Sequence, residues 1–99
     1  MESERLYKEA LDRLNQDNYL PRKGEISPPY NPDFTWQYLE DLIIVALDKG
    51  SMTLEECSHL FRAKGVVYPQ SLAKDVGWKL VEECKAIYDK SWKLAKLPN

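Results

Sequence analysis

Residues 70–96 read QSLAKDVGWKLVEECKAIYDKSWKLAK, and the way this stretch folds decides the architecture of the chain. At about 100° per residue it carries two apolar stripes. Ala73, Val76, Leu80, Cys84, Ile87 and Leu94 make one of them, an ordinary core face. Trp78, Val81, Lys85, Tyr88 and Trp92 make the other, stepping by three and four residues, the spacing at which one helix meets another. Pro69 suits the first helical position and Pro98 the frayed end, so the whole stretch is expected as one long helix. Gly77 lowers helix propensity by about 1 kcal/mol relative to alanine, which points to close packing against a neighbour at that position.

Upstream of it, Met52-Thr53-Leu54-Glu55-Glu56-Cys57 spells a capping box. Thr53 accepts from the Glu56 N–H while Glu56 reaches back, and Met52 can staple onto Cys57. A helix over 54–64 follows, with Leu54, Cys57, Leu60 and Phe61 on its apolar side and Gly65 as its left-handed stop. Earlier still, Asn31-Pro32 reads as an N-cap followed by a first-turn proline, and Gly50 as a terminator. The helix between them, 32–49, is apolar nearly all round through Phe34, Tyr38, Leu39, Leu42, Ile43, Val45, Ala46 and Leu47, so it is expected at the centre of the core.

At the N-terminal end Leu6, Tyr7, Ala10, Leu11 and Leu14 recur at helical spacing over 3–15. The connector over 16–30 contains Pro21, Gly24, Pro28 and Pro29 and no period of its own. Tyr19, Leu20, Ile26 and Tyr30 can pin it across the helices, so it is read as ordered. The run Ser27-Pro28-Pro29-Tyr30-Asn31-Pro32 is a rigid entry into the second helix rather than a proline-rich ligand. Residues 1–99 are thus expected to form one all-α, four-helix domain with helices at about 3–15, 32–49, 54–64 and 70–96.

With 43% hydrophobic residues this length has the material for one core without a metal or disulfide. The acidic start Met1-Glu2-Ser3-Glu4 is unlike a signal peptide. The longest apolar run, Leu42 to Leu47, is far below the roughly 20 residues of a membrane-spanning helix. Cys57 and Cys84 have no CxxC or Cys/His companions and read as small buried side chains, which fits a reducing, cytoplasmic setting. The net charge is −2, with the basic excess in the tail, where Lys85, Lys90, Lys93 and Lys96 complement a helix dipole.

No pattern for chemistry stands out. His59, the only histidine, falls on the outer side of the third helix, the four glycines are scattered, and the adjacent pairs Glu55/Glu56 and Glu82/Glu83 diverge around their helices. Catalysis, a cofactor, a metal and a small-molecule substrate are accordingly not expected. The second stripe of the last helix has two readings. Either the first helix covers it through Leu6, Tyr7, Leu11 and Leu14, or it is a surface for a protein partner or a second copy of the chain, since Trp and Tyr beside a cation are enriched where binding energy concentrates. The favoured function is a non-enzymatic protein-binding module, a small regulator or inhibitor of a larger intracellular complex, acting through Trp78, Val81, Lys85, Tyr88 and Trp92. The alternative is a helix-turn-helix-type DNA-binding regulator in which Gln70, Ser71 and Lys74 reach base edges. Arg62 is the only arginine beyond residue 23, which makes the phosphate-binding contribution of that alternative weak.

Overall fold

A computed structural model describes residues 2–16 and 27–98. In chain order the elements are α1 (Glu2–Leu14), α2 (Trp36–Leu47), α3 (Leu54–Ala63), α4 (Pro69–Glu82), β1 (Ala86–Tyr88) and β2 (Leu94–Lys96). The protein is mostly helical, with a small two-stranded antiparallel sheet at its C-terminal side. Among the described residues no helix is long and apolar enough to cross a membrane.

The long last helix expected from the sequence is not there. α4 ends at Glu82 because Cys84 turns left-handed, with φ of 59°. That turn lets the Lys85 N–H donate to the Leu80 carbonyl at 2.8 Å and the Cys84 N–H to the Val81 carbonyl at 3.1 Å, the paired bonds that close a helix C-terminus. The chain then runs out through β1, turns over residues 89–93 and returns as β2. Asp89 builds the turn: its carboxylate accepts from the N–H groups of Ser91 (2.8 Å) and Lys93 (3.0 Å), and its carbonyl accepts from the Trp92 N–H at 3.0 Å. Trp92, with φ of 60°, takes the left-handed third position of this three-residue hairpin loop, a place that usually goes to glycine. β2 is extended on its other edge by Met52, whose N–H and C=O both pair with Leu94 at 2.8 Å.

α3 follows the sequence closely. Thr53 caps it, the Glu56 N–H donates to Thr53 Oγ1 at 3.1 Å, and the Thr53 N–H donates to Glu56 Oε1 at 3.2 Å. Its end repeats the α4 closure with Gly65 in the left-handed position, φ of 87°. α2 starts later than expected. Its N-cap is Thr35, which accepts from the Tyr38 N–H at 3.0 Å, and Asn31 does something else. Buried at 2% exposure, Asn31 accepts from the Val67 N–H at 2.7 Å and donates to the Val67 carbonyl at 3.1 Å, tying the entry to α2 onto the loop before α4.

α2 holds the centre as expected: Leu39, Ile43 and Leu47 are buried on it, and it packs against α1, α3, α4 and β2. Phe61 and Cys57 of α3, Leu72, Ala73, Val76 and Leu80 of α4, and Leu6 and Ala10 of α1 fill the space around it. Of the expected core stripe, Leu94 is buried from β2, whereas Ile87 is 37% exposed and Cys84 is exposed, because the break at Cys84 takes both off the helical path. α1 is clasped to α2 by Arg13, which donates twice to Asp41 at 2.8 and 2.9 Å. Of the residues expected to pin the connector, Tyr19, Leu20 and Ile26 lie outside the described residues, and Tyr30 is 75% exposed.

Candidate functional site: an aromatic ridge across α4 and the hairpin

Trp78, Tyr88 and Trp92 come together, though not on a common helix. Trp78 projects from the outer side of α4, Tyr88 ends β1, and Trp92 lies in the turn. The Trp78 and Tyr88 rings meet edge to face with centroids 5.3 Å apart, and the Trp92 ring is tilted against Tyr88 at 6.2 Å. Tyr88 sits deepest of the three. Burial pushes its phenol up, and its hydroxyl lies where a Cβ on Gly77 would come within 3.1 Å, so Gly77 leaves room for the ring that joins the two tryptophans. Trp78 is 48% and Trp92 76% exposed, so α1 does not cover them. α1 packs on α2 instead.

The other two residues of the expected stripe go elsewhere. Val81 is half-buried against the core. Lys85 follows the left-handed Cys84 and turns inward, its Nζ 3.1 Å from Glu40 Oε1 and 3.5 Å from Glu83 Oε1. Gln70, Ser71 and Lys74 are all exposed on the first turns of α4, and Lys74 stands one turn before Trp78 on the same outer face. His59 is exposed as expected, with Nε2 3.7 Å from Glu55. Cys57 is buried, which pushes its thiol up to about 11.

A separate exposed aromatic pair lies outside the expected stripe. Tyr30 and Tyr68 pack edge to face with centroids 5.5 Å apart at the N-terminal end of α4, and both have left-handed backbones, φ of 63° and 56°. Pro69 disfavours a right-handed helical conformation at Tyr68, but nothing in the sequence marks the left-handed one. Elsewhere a cavity of about 270 Å³ opens between α1, the end of α2 and β2, with Leu6, Tyr7, Ile44, Leu47 and Leu97 on its walls and Lys85 at its edge.

No family model, curated protein or solved structure matches this chain. Three contiguous rings offer apolar contact area together with a tyrosine hydroxyl. Such an arrangement is suited to docking.

Proposed function

We propose that this chain is a non-enzymatic protein-binding module, a small regulator or inhibitor of a larger intracellular complex, which docks through Trp78, Tyr88 and Trp92. The observation that carries the reading is Trp92. It is 76% exposed and holds a left-handed backbone, so it gains little from burial and costs about 1–2 kcal/mol of backbone strain. Folding alone would be better served there by glycine or asparagine. Two free cysteines, Cys57 and Cys84, support an intracellular, cytoplasmic setting for the complex.

Trp92→Gly tests the idea, because it removes the ring and relieves the backbone together. Its melting temperature is expected to equal or exceed that of the wild type, while affinity for the partner falls at least about 30-fold, the loss typical of a central aromatic anchor. A variant that binds as well as wild type overturns docking through Trp92, and one that unfolds shows that Trp92 serves the fold. Sedimentation of the purified chain distinguishes a second copy from a different partner. The DNA-binding alternative draws support from the exposure of Gln70, Ser71 and Lys74 on α4, packed against α3. A salt-sensitive mobility shift with genomic fragments that Trp92→Gly leaves intact would favour it.

A further inference from the structure

Glu40 lies within α2 at 2% exposure. Its Oε1 accepts from Lys85 Nζ at 3.1 Å, whereas its Oε2 is buried with no hydrogen-bond partner among the described residues. Glu83 Oε1 lies 3.5 Å from the same ammonium, so Lys85 gathers both carboxyl groups around it. Two carboxylates around one buried-edge cation carry one negative charge too many, and an unpartnered carboxylate oxygen in the interior is costly. A single proton resolves both problems. Held on Glu40, it removes the buried negative charge, gives the carboxyl a donor to offer its neighbour and leaves Glu83 and Lys85 as a neutral pair.

The three residues span a junction. Glu83 is the C-cap of α4, Lys85 immediately precedes β1, and Glu40 is on the central helix. We propose that Glu40 and Glu83 share one proton beside the Lys85 ammonium, and that the three groups together latch to α2 the junction of α4 and β1, from which the hairpin carrying Tyr88 and Trp92 departs. Its bearing on partner binding rests on the docking role given to the ridge, but the latch itself does not.

The electrostatics agree in direction. Burial first, and the neighbouring Glu83 second, push the Glu40 carboxyl up to about 7 against the pull of Lys85. Its hydrogen bond with Glu40 holds Glu83 below the usual carboxylate range. Burial draws Lys85 down, but the two carboxylates outweigh it and the ammonium ends above its ordinary value. The surrounding charges are Lys79 of α4, one turn before Glu83 with its ammonium over the Trp36 ring, and Glu4 and Lys8 of α1, Asp48 after α2 and Lys96 of β2, which line the cavity beside Lys85. Because the folded Glu40 value lies above its ordinary 4.5, the latch is complete below about 4.5 and is lost as pH rises through about 7.

Amide hydrogen exchange on the full chain between pH 5 and 8, corrected for intrinsic rates, reads the latch directly. The opening constant of the β1 and β2 amides is expected to rise by up to about tenfold per pH unit from pH 5 to 7 and then level off, while α3 amides show no such slope. In Glu40→Gln an amide replaces the protonated carboxyl, so the slope should vanish and the hairpin stay closed at pH 8. Glu83→Gln should make it shallower, because the carboxylate that shares the proton is gone while burial still raises Glu40. Hairpin amides without a slope in the wild type overturn the proposal, as does a wild-type slope retained in whichever variant folds. Trp92→Gly should keep the slope, so a failed latch and a failed docking surface are told apart.

Discussion

At the ends of α3 and α4 the same closure is made by different residues, Gly65 in one and Cys84 in the other. A left-handed conformation costs a residue with a Cβ about 1–2 kcal/mol, while glycine gives back about 0.5–1 kcal/mol in the entropy of its unfolded state. Cys84→Gly is therefore expected to stabilise the protein by about 0.5–1 kcal/mol, a gain of a few degrees in melting temperature for a chain this size. No gain on a thermal melt would mean that the Cys84 side chain holds the turn in some further way. This residue also explains how far the sequence could be read. Gly65 announces its stop, and Cys84 does not; without a glycine the apolar spacing runs on unbroken to Leu94. Asp89 and Ser91, the turn formers of the hairpin, were the available warning.

Among the elements, α3 was legible down to its caps because Thr53 and Glu56 act locally. α2 was legible in its interior and misread at its start. Both Asn31 and Thr35 can cap a helix, and only a contact 36 residues away, at Val67, decides that Asn31 is spent elsewhere. That contact has a measurable worth. Asn31→Ala leaves the N–H and C=O of Val67 without their buried partner, and the expected loss is about 2–4 kcal/mol by chemical denaturation. Faster exchange of the Val67 amide should accompany it; a loss under about 1 kcal/mol would show that solvent replaces the side chain. The ridge teaches a related lesson. Helical spacing groups Trp78, Tyr88 and Trp92, yet a hairpin folding back over Gly77 is what joins them. Val81 and Lys85 shared that spacing and were carried to the core and to Glu40.

For the molecule as a whole, α2 is the member to which the others attach, and its attachments differ in kind. α3 and α4 pack on it through apolar side chains, while α1 adds a charged clasp, Arg13 to a fully buried Asp41. Removing one partner of a buried ion pair costs about 3–5 kcal/mol; Arg13 keeps about a third of its surface in water, so Arg13→Ala should cost nearer 2–3 kcal/mol. The loss should appear as earlier release of α1 in exchange experiments while the α3–α4 pair stays protected. Equal loosening everywhere would mean that the clasp stabilises the entire molecule cooperatively.

The two thiols end up in opposite surroundings, and this turns the wild-type chain into its own reporter. Cys84 is exposed at the hinge of the hairpin, whereas Cys57 is sealed in the core with its thiol pushed up to about 11. An alkylating reagent at neutral pH should thus consume one equivalent promptly and the second only as fast as the core opens, giving a clock for global unfolding that needs no engineered label.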